Sequence, residues 1–491
     1  MGLILWAAPL SAILIMFLTK TTKAHHIISV LVSVIEVAVT WVLTYQVMVE
    51  GQIAYGFVGK LFYLDAFSII LLNLVVIVGM LAAIYNIGYL NHEKKNGEID
   101  LKRIRLFYML LYGFIFTMVF ALTVNNMGLM WIAVEAITLA STFLVGFHND
   151  KKAIEAAWKY VIICSVGIAI AMLGIVFLHI SSLGINEGAG ILDWTTLYDN
   201  ADKLNGPVLR FAFIFILIGF GTKAGLAPMH TWLPDAHSQA PSSVSAMLSG
   251  VLLNTSLYPI IRTVSIVNKN MESSVFTGRL LIGIGLISLA TAAIFIITQK
   301  DYKRLLAYSS IEHIGIITIA MGVFTPAAVF AGLFHMINHS FTKSMLFLTS
   351  GNILQKYGTR EIGRVQTLIK VLPFSGTVFL IGLFAIGGTP PFSIFASEFS
   401  ILISIFDNNN FILGVTIIGL LTLVFVGIVS TLFRMFYYNN REENVTSGET
   451  NKYGVAVIVI MLVIISITGL YMPEGIFNLM VDAQNVITGG I

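Results

Sequence analysis

Ionisable residues recur in this chain inside stretches that are otherwise apolar. Lys223 lies in GFGTKAGLAP, Glu398 in GGTPPFSIFASEF, Glu135 in MWIAVEAITLA and Glu312 in YSSIEHIG. His335, His339 and Lys343 share FHMINHSFTKSMLFL. A charge held at the centre of a bilayer costs several kcal/mol on insertion scales, so each of these residues is a candidate for handling ions or protons. The spacing i, i+4, i+8 sets His335, His339 and Lys343 on one helix face. At 1.5 Å rise per residue they cover ~12 Å, the reach of a short proton relay with intervening water. Imidazole suits such a relay because its ordinary pKa lies near neutrality. The same i, i+4 spacing suits zinc. However, the glutamate of HExxH is missing and no cysteine is at hand, so neither a metal nor a cofactor is expected. The lone thiol, Cys164, cannot hold an iron–sulfur cluster or form an internal disulfide. Redox chemistry is therefore expected on other subunits.

Hydrophobic residues make up 57% of the 491 residues and charged residues 11%, against ~25% charged in soluble domains. The net charge of +3 is too small and dispersed for a nucleic-acid partner. Apolar runs long enough to cross ~30 Å of hydrocarbon recur from end to end. They predict an all-α integral membrane protein, a single polytopic domain over residues 1–491, with about fourteen spans. These lie near 2–19, 26–48, 64–88, 105–123, 127–147, 154–182, 208–228, 241–267, 279–298, 304–321, 326–353, 370–406, 411–438 and 453–471. No cleavable leader is expected. Gly and Pro around Lys223 and before Glu398 predict that spans 7 and 12 are broken helices lining a polar cavity.

Most basic loop residues, among them Lys94, Lys95, Lys102, Lys151, Lys152, Lys303, Arg360, Arg364 and Arg441, follow odd-numbered spans. Lys60, Lys203, Arg210, Arg262, Lys269 and Arg279 lie in even-numbered loops or at helix ends. The positive-inside rule then puts the odd loops in the cytoplasm and both termini outside. Only Lys159, Lys223 and Lys343 are left as basic residues within spans. Lys223 and Glu398 are 175 residues apart, and Glu135 and Glu312 are 177 apart. This near-constant offset suggests two five-helix repeats, spans 4–8 (105–267) and 9–13 (279–438).

Several residues admit a second reading. Lys223 and Glu135 could form a static salt bridge. Glu312–His313 reads equally as a fixed hydrogen-bonded pair and as a relay. Lys159 could snorkel to the surface or, one turn from Glu155, serve as a relay. Glu36 and Asp65 read as helix–helix or capping features, and the aromatic residues as packing and interface anchors.

The stretches PMHTWLPDAHSQAPSSVSAMLSG (228–250), DYKRLLAYSSIEHIG (301–315) and FHMINHSFTKSMLFLTSGNI (334–353) resemble the antiporter-like proton-pumping subunits of respiratory complex I. Relatives of those subunits occur in group 4 nickel–iron hydrogenases and Mrp-type cation/proton antiporters. Within that superfamily, NNMGLMWIAVEAITLASTFLVGF (125–147), EAAWKYVIICSVGI (155–168) and SSIEHIG (309–315) look most like the F-type subunit of hydrogenase-4. The resemblance covers nearly the whole chain. It implies that the repeats are inverted and that Glu135 pairs with Lys223. It places His335, His339 and Lys343 on the central connecting helix, and Glu398 at the ionisable position of span 12.

Two positions depart from relatives. Mrp-type subunits usually carry His-Asp near span 11, where this chain has Asn338-His339. The complex I subunit most similar at 228–250 usually has a lysine where Asn254 stands in LLNTSLYPIIR, so passage from Lys223 to His335 would need water. The chain ends soon after span 14, which predicts that the long lateral helix of complex I's distal subunit is absent. The translocation axis is expected to comprise Glu135, Lys223, His335, His339, Lys343 and Glu398, with Lys159, His230, Asn254, Glu312 and His313 as relay or access candidates.

The expected function is a proton-translocating subunit of a multi-subunit hydrogenase or respiratory complex in a prokaryotic cytoplasmic membrane. Other membrane subunits and a peripheral arm, nickel–iron hydrogenase-like or NADH/quinone-linked, would supply the energy. The alternatives are an Mrp-type Na+/H+ antiporter subunit and a non-conducting membrane anchor. The residue types do not separate protons from sodium.

Overall fold

Helices in this chain begin where a short polar side chain precedes an apolar run. In the computed structural model, which describes residues 1–56, 60–185, 190–436 and 446–489, Asp100, Asp150, Asn205, Asp301, Thr325 and Asn451 each accept a backbone N–H as N-caps. Such caps satisfy donors that a helix start leaves unpaired.

The first helices are α1 (Gly2–Leu18), α2 (Thr22–Glu50), α3 (Ala66–Lys95), α4 (Leu101–Thr123), α5 (Met127–Val145) and α6 (Lys151–Ser181). A small hairpin not expected from hydropathy, β1 (Gln52–Tyr55) with β2 (Phe62–Asp65), precedes α3 and pairs antiparallel with Gln52 opposite Asp65. Asp65 caps α3 in a reciprocal capping box with Ser68. A short helix, α7 (Trp194–Asp199), lies between α6 and the next long helix.

Expected span 7, 208–228, covers α8 (Gly206–Ala224) and the break after it, beyond which α9 (Trp232–Gln239) begins. Gly225 between them has φ +79°, and a Cβ there would lie 2.4 Å from Leu233, so only glycine fits that turn. Trp232 donates to the Thr222 carbonyl at 2.9 Å, and the Ala227 N–H donates to Ser288 at 2.9 Å. The break is thus closed by protein partners, as non-helical backbone at membrane depth requires.

Expected span 8 is α10 (Ser242–Met247), a π-helical turn at Leu248–Leu252 and α11 (Leu253–Met271). Next come α12 (Val275–Ile297), α13 (Tyr302–Val323) and α14 (Pro326–Tyr357). Expected span 12 begins after a four-residue helix, α15 (Leu368–Val371). It is split into α16 (Pro373–Ile386) and α17 (Ser393–Asp407) by GGTPPF. The last helices are α18 (Phe411–Phe436), α19 (Lys452–Leu470) and α20 (Glu474–Thr488). Hydropathy assigned no span to α20. Arg441 and the end of expected span 13 at 437–438 lie outside the described residues.

Among the described residues, eleven helical segments are long and apolar enough to cross a membrane. Gly2–Leu18 and Pro373–Ile386 are shorter apolar helices. The centre of the protein is built from α10–α11, α13 and α14, whose residues are almost all buried. By contrast α2, α18 and α19 expose large apolar side chains such as Trp41, Ile412 and Ile460, as lipid-facing helices do.

Side chains anchor α14 along its length. Asn338 donates to the Ser393 carbonyl at 2.8 Å and Ser340 to the Gly250 carbonyl at 2.6 Å. Tyr85 donates to Asn352 at 3.1 Å, Asn352 to Ser375 at 2.9 Å, and Gln355 to the Tyr89 carbonyl at 3.1 Å. At its start, Phe330 packs on Phe477 of α20 with ring centres 5.2 Å apart.

Two basic residues read as loop or helix-end positions are buried instead. Arg262 of α11 is 2% exposed and holds Asp65 through two contacts of 2.7 Å, among the rings of Trp194 and Tyr258. Lys303, in the first turn of α13, is fully buried and donates to the Ala240 carbonyl at 2.7 Å, just past the end of α9. Near a helix end, sequence does not show whether a cation turns outward or in.

Candidate functional site

Lys223 sits in the last turn of α8, fully buried, immediately before the break. Its ammonium donates to Thr138 of α5 at 3.0 Å and to the Tyr160 hydroxyl of α6. It also lies 4.4 Å from the centre of the Tyr160 ring. Glu135, one turn from Thr138, accepts from Ser165 of α6 at 2.8 Å, while its Oε2 is buried without a protein partner. The Glu135–Lys223 ion pair expected from the resemblance is not closed in this structure: a tyrosine and a threonine hold the lysine. A neutral hydroxyl can accept an ammonium hydrogen bond, though more weakly than a carboxylate does.

The second cluster lies where α13, α14 and α17 meet. His313 Nδ1 is 3.0 Å from His335 Nε2 and 3.7 Å from Glu398 Oε1. His335 Nδ1 is 2.8 Å from the Ser397 hydroxyl. The His339 ring centre is 5.4 Å from that of His313, and both its ring nitrogens are buried without partners. Lys343 donates to the Leu306 carbonyl at 2.9 Å and to Ser309. Glu312 and His313 approach only to 3.9 Å. His313 therefore bonds across to α14, and a fixed pair between the two neighbours is not formed. Glu398 Oε2 rests against Gly388, where a Cβ would lie 2.3 Å away. With φ +68° at Gly388, glycine is what lets the broken backbone pass the carboxylate.

Asn254 lies between the two clusters. Its amide donates to Ser340 at 3.0 Å and to the Gly250 and Met336 carbonyls at 3.3 Å, while its Oδ1 is buried and unpartnered. Other buried polar atoms with no protein partner lie on His237, Ser242, Ser243 and Thr342. Each such atom costs about 1–3 kcal/mol unless something satisfies it. Buried groups of this kind are ordinarily satisfied by ordered water.

One expected relay residue, Lys159, stands apart from this axis. Lys159 has a side chain 47% exposed and pairs with Glu155 at 2.6 Å and Asp235 at 3.2 Å; Arg304 joins Asp235 at 2.7 Å. The snorkelling alternative describes it. His230 lies in the break of span 7, buried, with Nδ1 unpartnered.

Sequence reasoning passed over His237, Tyr160, Thr138 and Ser165. His237 is fully buried and stacks on Phe347 of α14 at 4.9 Å, both its nitrogens unpartnered. It lies in the polar segment PDAHSQAP and carries no hydropathic signal. Its only sequence sign is a second histidine seven residues after His230.

Residues 124–425 match the family described as NADH:quinone oxidoreductase/Mrp antiporter, TM. The chain belongs to this family. Among its relatives, the hydrogenase-4 component F homolog of Methylacidiphilum infernorum (isolate V4) is 40% identical over 365 residues, 74% of this chain and 76% of that protein. NADH-quinone oxidoreductase subunit M of Rickettsia conorii is 28% identical over 497 residues, 96% of this chain and 95% of that protein. The fold matches a chain in the structure of the membrane-bound sulfane sulfur reductase, an archaeal respiratory membrane complex. The TM-score is 0.87 at 22% identity, covering 99% of this chain and 97% of that one. As a member of the NADH:quinone oxidoreductase/Mrp antiporter family, the chain is an antiporter-like, multi-pass membrane subunit, and its relatives are subunits of multi-subunit membrane complexes.

Proposed function

We propose that this chain translocates protons through the buried axis Glu135–Lys223–His335–His339–Lys343–Glu398, driven by redox chemistry on partner subunits of a hydrogenase-like or quinone-linked complex. The observation that carries the reading is the run of buried ionisable and unpartnered polar groups between the two helix breaks. A protein built only for anchoring gains nothing from such groups in hydrocarbon. Lys223 is the switching element: held by Tyr160 and Thr138 in one state, it pairs with Glu135 in the other. Glu312, His313, Asn254 and His237 line the connection, and His230 the access at the first break.

The proposed frame is fourteen spans with inverted repeats, both termini outside, in a prokaryotic cytoplasmic membrane. One local construction supports the inversion. Asn126, capping α5, forms a β-bridge with Asp193 beyond α6, and Asp301, capping α13, forms one with Glu361 beyond α14. In the proposed topology these matching bridges fall on opposite faces of the membrane.

Asn338 favours the redox-driven reading over an Mrp-type Na+/H+ antiporter. Its amide donates to the Ser393 carbonyl at the start of α17, within the Asn338-His339 pair that stands where Mrp-type subunits usually carry His-Asp. The test is Lys223→Met in the intact complex. The expected result is assembly and electron transfer retained with proton translocation lost. Translocation at the wild-type ratio of protons to electrons would reduce the axis to a structural feature of a membrane anchor.

A further inference from the structure

Among the described residues, one group of three potential metal ligands converges: His313, His335 and Glu398, with ligand atoms all within 4.8 Å of one another. They come from three helices, α13, α14 and α17, and all three residues are buried. Zinc bonds nitrogen and oxygen at about 2.0–2.2 Å, which places neighbouring ligand atoms of a tetrahedral site about 3.3–3.5 Å apart. The two measured separations, 3.0 Å between His313 Nδ1 and His335 Nε2 and 3.7 Å between His313 Nδ1 and Glu398 Oε1, bracket that spacing. All three ligand atoms lie within 4.8 Å of one another, so an ion enters by drawing the His335 and Glu398 side chains closer together.

We infer that these three side chains form a binding site for a divalent transition-metal ion of the zinc class, two imidazole nitrogens and one carboxylate oxygen, with a fourth position open. The donor set is the one that zinc takes in open sites. The supporting shell is present as well. Ser397, 2.8 Å from His335 Nδ1, can accept that nitrogen's proton and leave Nε2 free for the metal. His313 Nε2 is unpartnered and faces Glu312 at 3.9 Å, so the proton displaced from Nδ1 has a place on the far side of the ring. Glu398 Oε1 is itself buried without a hydrogen-bond partner. A cavity of ≈ 330 Å³, lined by Gly388, Thr389, Phe395, Phe399, Ile418 and Phe425, reaches the carboxylate of Glu398. His339, on the same face of α14, is outside the group. The site thus differs from the i, i+4 histidine pair that the sequence suggests.

The site stands on its geometry alone, so its test is binding and not transport. The full-length chain, purified in its complex, is titrated with Zn2+ by calorimetry, and with Co2+ followed by visible absorption. One equivalent is expected, with the intense absorption of a low-coordinate Co2+ site. His335→Gln and Glu398→Gln are each expected to weaken Zn2+ binding by 100-fold or more. Ser397→Ala should weaken it about 10-fold, the low end for a lost supporting contact. His339→Gln should change it less than twofold. Size exclusion and thermal unfolding show which variants are folded. If His335→Gln is not recovered, Glu398→Gln and Ser397→Ala carry the test. The assignment is overturned if the wild-type chain takes up no stoichiometric Zn2+. It is equally overturned if folded Glu398→Gln binds as well as wild type, or if His339→Gln loses as much as the variants of the three ligands. Lys223→Met leaves this measurement unchanged, so failure of the site and failure of the translocation reading are separable.

Discussion

Tyr160→Phe isolates the alternative partners of Lys223. The substitution keeps the ring, and with it the 4.4 Å approach of the ammonium and the packing on Trp232 at 4.6 Å. It removes the hydroxyl to which the lysine donates, leaving Thr138 as the remaining acceptor. Ser141 also loses a 2.7 Å partner but keeps its bond to the Ile137 carbonyl. A hydrogen bond to a charged group contributes about 1.5–3 kcal/mol, and 1.4 kcal/mol is tenfold in an equilibrium. The state with Lys223 held away from Glu135 should therefore lose population by about 10- to 150-fold relative to the ion-paired state. A switch that leans so far to one side no longer cycles. Proton translocation per electron, measured by dye quenching in vesicles carrying the intact complex, should fall severalfold while electron transfer and assembly persist. In a Glu135→Gln background there is no ion pair for the lysine to fall into, so adding Tyr160→Phe should cost little more. Unchanged translocation in Tyr160→Phe, or a full additive loss in the double variant, would refute the two-partner argument.

His339→Ala should impair translocation more than assembly, because the ring's two nitrogens bond nothing that packing relies on; wild-type pumping per electron would remove His339 from the path. A cysteine introduced at Asn96, in the loop between α3 and α4 flanked by Lys94, Lys95, Lys102 and Arg103, should react with an impermeant thiol reagent only from the cytoplasmic side. Labelling from outside alone would reverse the orientation and leave the helices as they are.

The helices were legible because apolar runs and their Asp, Asn and Thr caps are local signals. The breaks before Pro228 and around Pro390 were legible for the same reason. What failed was the fate of individual ionisable side chains. Lys303 and Arg262 turn inward to Ala240 and Asp65, while Lys159 turns out to Asp235, and these choices are made by tertiary partners. The aromatic residues were read as packing, yet Tyr160 is a partner of Lys223. The meeting of His313 with His335 and Glu398 joins residues 22 and 85 positions apart, on helices whose relative rotation no local pattern specifies.

The fastening of α14 has a kinetic consequence. The helix that carries His335, His339 and Lys343 is tied to α10, α17, α3 and α16 by the side chains of Asn338, Ser340, Ser344, Asn352 and Gln355, and its first turns lie under α20. A rod held at so many points does not rock or slide as a unit without breaking several buried bonds together. Collective helix shifts run on micro- to millisecond timescales, and this helix has little share in them. In the proposed translocation, charge moving along it would depend on ring rotation, ammonium swings and hydration. The slow step of a turnover then belongs to whatever repositions groups beside the rod, at the two breaks or in the neighbouring subunits.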